Sequence, residues 1–440
     1  MSQHVFRPHP PNVPSTKHIK LAQLRSTKSN PLSSTHQNHN VSQATDNYND
    51  QEVIAPIHQP TNQASISVAK NITTVTTVVP GPMCNNRSTL TKQSKANMHT
   101  VIPSGTSTPN KTKNVNQEYR PIKIIGQGAF GVVYVARMPD GKFVAIKKVL
   151  QDPRYKNREY DILKMIDNKY CIRMVNSFKS RGNGKKRSNN SSSNSKDVYL
   201  NIVMNYMPQN LHDFNISYRD KKHYPPIIMA KLFAYQIFLG LNYLHSELNV
   251  THRDMKPQNV LVDPSTGELQ ICDFGSAKIL LPKESSVSYI ASRYYRAPEL
   301  MMNCSYYTNK IDIWAAGCIL AEILTAGSPL FQGNTSIGQL YEIIKIIGQP
   351  KDEDLESFQY DMSDEDLLKM RKVEHRTSLK NVLPSQTPSD LIELLNDIFQ
   401  YNPQKRPSAA QCLRYKCFDE LFRNGTMMPN KKPIPPLERI

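Results

Sequence analysis

His252-Arg-Asp254-Met-Lys256-Pro-Gln-Asn259 packs several chemical capacities into one short run. Asp254 can accept the proton of an attacking hydroxyl. Lys256, two residues on, can neutralise an anionic group in transit. Asn259 offers an amide oxygen to a hard cation. Because these capacities sit at fixed spacing, the run predicts a catalytic loop. The alternative is the relic of such a loop in an inactive chain.

The residues on either side extend that reading. Upstream, Gly126-Gln-Gly128-Ala-Phe-Gly131-Val has the glycine spacing that lets backbone approach phosphates. A dinucleotide site uses a similar spacing, but there the glycines open a helix. Here Val132-Val-Tyr-Val135 follows, which predicts a strand, so the glycines should form a hairpin over the phosphates. Val144-Ala-Ile-Lys147 places a lysine on a strand, and Glu159 falls twelve residues later on a predicted helix. A Lys–Glu pair across those elements would hold the lysine head in a cleft. Downstream, Asp273-Phe-Gly275 supplies a carboxylate for a divalent cation. Ala297-Pro-Glu299 needs a partner if its Glu is buried, and Arg406 is the candidate. Asp312 of Asp312-Ile-Trp314 should hydrogen-bond the catalytic loop.

Two textures surround these motifs. From Tyr119 to Met204, short β-branched runs separated by turns such as Pro139-Asp-Gly141 predict an antiparallel sheet. One helix near Arg158 to Met165 interrupts it. From Pro226 onward helical spacing takes over. Phe233, Ile237, Leu241 and Leu244 predict one apolar stripe, and Ile311 to Leu324 predicts a buried central helix. A small sheet lobe (119–207) and a larger helical lobe (208–421) would leave a cleft between them.

Three stretches read differently. Residues 1–118 are rich in Ser, Thr, Asn, His and Pro and are expected to be disordered, apart from Ile72 to Val79, a transient strand. The low-complexity insert 180–196 should expand a hairpin loop. The polar, Pro-rich tail, 422–440, should form an extended strap. The formal net charge is +18. Without a dense basic run interleaved with aromatics, nucleic acid is not an expected partner. Seven cysteines lack a CxxC pair, which points to reduced thiols in the cytosol or nucleus. No apolar stretch reaches the ~18 residues of a membrane span.

The motifs occur in the order and on the predicted elements that a protein kinase requires, which implies the two-lobed α+β kinase fold. Within the kinases, the sequence resembles the glycogen synthase kinase 3 family. The resemblance rests on Lys156-Asn-Arg-Glu159, His252 to Asn259, Cys272-Asp-Phe-Gly-Ser-Ala-Lys278 and Val287-Ser-Tyr-Ile-Ala-Ser-Arg-Tyr-Tyr-Arg-Ala-Pro-Glu299. It covers Tyr119 to Leu421.

The resemblance implies a Ser/Thr kinase using ATP and Mg²⁺. Lys147 holds phosphates, Glu159 orients Lys147, Asp254 is the base, Lys256 stabilises charge, and Asn259 and Asp273 hold the metal. Ile125, Gly126, Gly128, Gly131, Val133 and Ala145 would enclose the nucleotide. Adenine would meet the backbone of Asn205 and Met207 beside a Met204 gatekeeper. Substrates would already carry a phosphate four residues C-terminal to the target. Arg158, Arg253 and Lys278 would receive it. Relatives in the wider group fill that site with a phosphothreonine of their own loop, and the aligned residue here is Val287. Tyr289 matches an autophosphorylated tyrosine. Phe331 to Pro384 matches a surface used for scaffold proteins, although the acidic Lys351-Asp-Glu-Asp-Leu-Glu and Met362-Ser-Asp-Glu-Asp-Leu depart from the family pattern. No Arg-x-Arg-x-x-Ser inhibitory site occurs in residues 1–118. The alternatives are an unprimed, proline-directed kinase of the wider group and a nucleotide-binding scaffold.

Overall fold

The structure, a computed structural model, describes residues 75–77, 117–128, 131–152, 156–181 and 197–440. The segments 1–74, 78–116 and 182–196 lie outside the described residues, so most of the expected disordered extension and of the expanded loop falls there. Within the extension, β1 (Val75–Thr77) pairs antiparallel with β2 (Gln117–Gly128), in the middle of the Thr/Val-rich run.

The small lobe is one antiparallel sheet. β2, β3 (Gly131–Arg137), β4 (Phe143–Leu150), β5 (Met174–Arg181) and β6 (Val198–Asn205) lie in the order β1-β2-β3-β4-β6-β5. Strand alternation decides which face each side chain takes. On β4, Val144 and Ile146 are buried with Ala136, Val203, Tyr119 and Phe178. Ala145 and Lys147 therefore turn to the opposite face, which roofs the cleft. The helix α1 (Arg158–Leu163) interrupts the strands. Asn157 caps it by accepting from the Tyr160 amide, and Glu159 and Asp161 sit in its first turn. Ile162 and Leu163 anchor it in the main core.

The larger lobe is helical. It contains α2 (Leu211–Arg219), α3 (Ile227–Asn242), α4 (Pro298–Met301), α5 (Lys310–Leu324), α6 (Ser336–Ile347), α7 (Asp352–Glu356) and α8 (Asp364–Arg371), with further short helices towards the C-terminus. Two small sheets lie under the cleft. β7 (Gln209–Asn210), β9 (Val260–Asp263) and β10 (Glu268–Ile271) form one, and β8 (Val250–Thr251) with β11 (Lys278–Ile279) forms the other.

α3 corrects two expectations. It is buried almost all round from Met229 to Leu241, not along one stripe. Polar residues within it find partners. Lys231 pairs with Glu420 at 2.8 Å, and Gln236 donates to Gly267 O and accepts from Leu269 N. Together with a π-helical turn it runs from Ile227 to Glu247, long and apolar enough to cross a membrane by length and composition. However, 83% of its most apolar window is buried inside the protein, as befits a core helix. α5 is buried from Ile311 to Leu324 as expected. Trp314 packs against Phe331 and Phe399, with ring centroids 5.9 and 4.9 Å away. The tail forms the expected strap. Tyr235 donates to Glu438 O (2.7 Å), Lys169 donates to Pro436 O (3.2 Å), and Met428 is buried.

Candidate active site

A cavity of about 570 Å³ opens between the sheet and the helices. Its roof is the β2–β3 hairpin, which closes at Gly128 opposite Gly131. Gly131 has φ +127°, and a Cβ there would collide with Lys148 O, so glycine is required. Gly126, Gly128, Gly131, Ile125, Val133, Ala145, Asn205 and Met207 all line the cavity. Ile172, Leu261 and Cys272 line it as well. Sequence reading assigned none of these three to the cavity, although Cys272 adjoins Asp273 and Leu261 follows Asn259 by two residues. Met204 is buried at the back of the cavity.

At the inner end Lys147 binds two carboxylates. Its Nζ lies 2.7 Å from Glu159 Oε1 and 3.1 Å from Asp273 Oδ1. Burial works against the Lys147 charge, but Glu159 and Asp273 outweigh it and hold its pKa above the usual value. Burial raises the Glu159 pKa, and Lys147 only partly offsets that. Asp273 is also opposed by burial, yet the nearby Lys147 keeps its carboxyl below the usual range. Asp273 adopts φ +63°, a conformation that L residues rarely take. Its side chain is 43% exposed, into the cleft.

The catalytic loop runs between β8 and β9. Both carboxylate oxygens of Asp254 are engaged. Asp254 Oδ2 accepts from Lys256 Nζ (2.7 Å) and from Asn259 Nδ2 (3.2 Å). Asp254 Oδ1 accepts from both the amide (3.1 Å) and the hydroxyl (3.0 Å) of Ser292. Ser292 also accepts from Lys256 Nζ at 3.2 Å. Sequence reading assigned Ser292 no role, and no local spacing ties it to Asp254. Beneath the loop, buried Asp312 accepts from the amides of His252 (2.8 Å) and Arg253 (2.9 Å) and is bonded to His245 (2.9 Å). Burial opposes its charge, but these bonds win and keep the carboxyl below its usual range. They also hold Arg253 at φ +68°. His252 is bonded to Cys272 O (2.9 Å) and packs edge-on against Phe274, tying the loop to the Asp273 segment.

Asn259 and Asp273 supply an amide oxygen and a carboxylate, a donor set suited to a hard divalent cation. Among the described residues, no group of three or more His, Cys, Asp or Glu could hold a metal ion without other ligands. Such a cation would complete its shell with phosphate oxygens and water.

A family model described as "Protein kinase domain" matches residues 119–418. The chain belongs to the protein kinase family. It is therefore a phosphotransferase that uses ATP, a divalent metal and protein substrates. The glycine hairpin, Lys147, Glu159, Asn259 and Asp273 line one cavity. The kinase fold is further braced by a buried pair. Arg406 grips Glu299 through two bonds of 2.7 Å, with both side chains fully buried.

A second charged cluster lies beside the activation segment, residues 273–299. Arg253 Nε donates to Ser276 O (2.6 Å) and its Nη1 to Tyr307 Oη (2.9 Å). The residue is only 7% exposed, and no carboxylate pairs with it among the described residues. Lys278 sits two residues beyond Ser276, on β11, paired opposite Thr251 of β8. Its Nζ lies 2.9 Å from Glu284 Oε1 and 2.9 Å from Ser286 Oγ. Arg158 is exposed at the start of α1, a helix that packs on the Phe274–Ser276 turn. It too has no carboxylate partner among the described residues. Tyr289 is 71% exposed, with the Arg296 guanidinium 4.5 Å from its ring centroid.

Proposed function

We propose that this chain transfers the γ-phosphoryl of MgATP to Ser or Thr hydroxyls, on substrates already phosphorylated four residues C-terminal to the target. In this reading it belongs with the glycogen synthase kinase 3 subfamily. The observation that carries the priming preference is buried Arg253. A charge out of water needs a counter-charge, and this guanidinium has only a carbonyl and a hydroxyl. Lys278 stands beside the same turn and Arg158 on the helix packed against it. Val287, at the position where relatives carry a phosphorylatable threonine, cannot supply the anion. A phosphate on the substrate can, with charge-assisted hydrogen bonds.

Lys147 binds the α- and β-phosphates, and Glu159 keeps its head in the cleft. The backbone of Asn205 and Met207 receives adenine. Asn259 and Asp273 would hold Mg²⁺, which when bound would supply positive charge against the phosphates. Asp254 takes the proton of the incoming hydroxyl. Lys256, 2.7 Å from Asp254, neutralises charge on the transferring group. The Lys256–Ser292 contact favours Ser/Thr acceptors, because it sets a lysine beside the base where a short hydroxyl side chain must enter. Tyr289 is proposed as an autophosphorylation site, exposed and next to the Arg296 cation. Six free cysteines among the described residues support work in a reducing compartment, the cytosol or nucleus. The α6–α8 surface is the proposed scaffold-docking face.

The test uses two peptides that differ only in a phosphoserine four residues after the target serine. A large preference for the phosphorylated peptide supports the reading. Equal turnover of both leaves an unprimed kinase. ATP binding without turnover of either leaves a scaffold.

A further inference from the structure

We propose that Lys169 is a positioning residue for phosphoryl transfer: held by the C-terminal strap, it fixes the loop behind α1 and so sets Glu159 against Lys147. Lys169 is not among the residues that line the cleft. Its effect travels through α1.

The loop behind α1 is bolted to the helical lobe. Ile162, Leu163, Ile166, Tyr170 and Ile172 are buried in the same core as α3. The Asp167 amide donates to Tyr243 Oη (2.9 Å), which donates in turn to Met165 O (3.3 Å). The Ile271 amide donates to Tyr170 O and the Ile172 amide to Ile271 O, both at 2.8 Å. Gln270 Nε2 donates to Lys169 O (3.3 Å). Residues 165–172 therefore carry the C-terminal end of α1. That helix has only six residues, and Glu159 lies about one turn from its anchored end. A shift of the loop is passed on to Glu159 with little to absorb it.

The strap reaches the same loop from outside. Lys169 Nζ donates to Pro436 O (3.2 Å) and lies 3.4 Å from Glu438 Oε1. The strap is itself pinned at this point. Tyr235 Oη, from α3, donates to Glu438 O (2.7 Å). Arg439 pairs with Asp419 at 2.9 Å, and its guanidinium stands 5.1 Å from the Phe422 ring centroid. Ile434 and Leu437 pack on the main core. The Lys169–Glu438 pair is half-exposed, and such a pair is weak alone. It acts here with a charge-assisted bond to a carbonyl, on a segment held from three other sides. An α1 free to pivot spends part of its time with Glu159 away from Lys147. Burial already opposes the Glu159 charge, so that pair gains from any contact that disfavours the pivoted state. Each such contact lowers the pivoted share in proportion to its differential energy.

The experiment measures peptide phosphorylation by the full chain. Lys169→Ala should lower kcat about three- to fivefold and leave the peptide KM unchanged. Lys169→Arg, which still reaches Pro436 O, should restore most of that turnover. Tyr235→Phe keeps the ring in the core but frees Glu438 O, and it should lower kcat about twofold. The deciding readout is coupling. In a chain that already carries Glu159→Gln, adding Lys169→Ala should leave the residual turnover unchanged, because there is no longer a Glu159 to position. An equal fold-loss in both backgrounds marks a general loosening of the fold and overturns the inference. An unchanged kcat in Lys169→Ala overturns it too, as does a rise in peptide KM with kcat kept, or an arginine variant as impaired as the alanine one.

Discussion

The two charged clusters of the kinase are built on opposite plans. At the inner end of the cleft the ionic groups have counter-charges within the chain. Lys147 meets Glu159 and Asp273, and Lys256 meets Asp254. Beside the activation segment, Arg253 and Arg158 have no carboxylate among the described residues, and Lys278 has one half-exposed Glu284. A closed network sets geometry before any ligand arrives. An open one leaves positive charge to be satisfied by something that binds. The first plan suits catalysis and the second suits recognition.

The largest expected effect tests the closed network. Asp254→Asn should lower kcat about 10²–10⁴-fold in a peptide phosphorylation assay, with ATP affinity unchanged by calorimetry. A smaller loss would mean that the engaged carboxylate is not the base. Stability sets paired and unpaired buried cations against each other. Arg406→Met strands Glu299 and should cost about 3–5 kcal/mol in urea unfolding. Arg253→Met strands no carboxylate. It should cost less, about 1–3 kcal/mol, from Ser276 O and Tyr307 Oη losing a donor. Equal losses would erase the distinction drawn above.

Glu322 is an anionic counterpart of Arg253. Its Oε2 accepts from the Tyr295 hydroxyl at 2.6 Å, and burial pushes its pKa up to about 7 from 4.5. The folded state therefore holds a proton that the unfolded state releases first. Stability should fall as pH rises from about 4.5 to about 7, by up to about 3 kcal/mol. Thermal melts of wild type against Glu322→Gln should diverge in that direction, and parallel profiles would contradict it. Next, Arg158→Ala should lower kcat/KM on primed peptides about tenfold and spare unprimed ones, whereas equal loss would argue against an open pocket. The smallest effect is Tyr289→Phe. An exposed phosphate near Arg296 is worth about two- to fivefold in activity, and a loss as complete as that of Lys147→Ala would contradict it.

What could be read in advance follows the length of the physical link. The glycine spacing, the Lys147-to-Glu159 interval and the Asp254-to-Asn259 loop are local, so motif chemistry locates them. Glu299–Arg406 spans 107 residues but was readable, because a buried carboxylate demands a cation and few were candidates. Ser292, Tyr307 and Ser286 were not foreseen. Ser and Tyr hydroxyls carry no charge to balance, so only folding reveals what they touch. α3 was misjudged for a related reason. Counting apolar positions cannot see that Lys231 and Gln236 are buried with their own polar partners.

Gly267, in the turn between β9 and β10, has φ +77°, and a Cβ there would stand 2.5 Å from Met428 Sδ and 3.1 Å from Pro435. The turn and the C-terminal strap therefore fit only as a matched pair. In a lineage of such kinases these two places should drift together. The positive φ strains any larger residue at 267 whatever the space, and such a residue would also have to displace the strap, so the path of the tail is tied to a turn some 160 residues earlier.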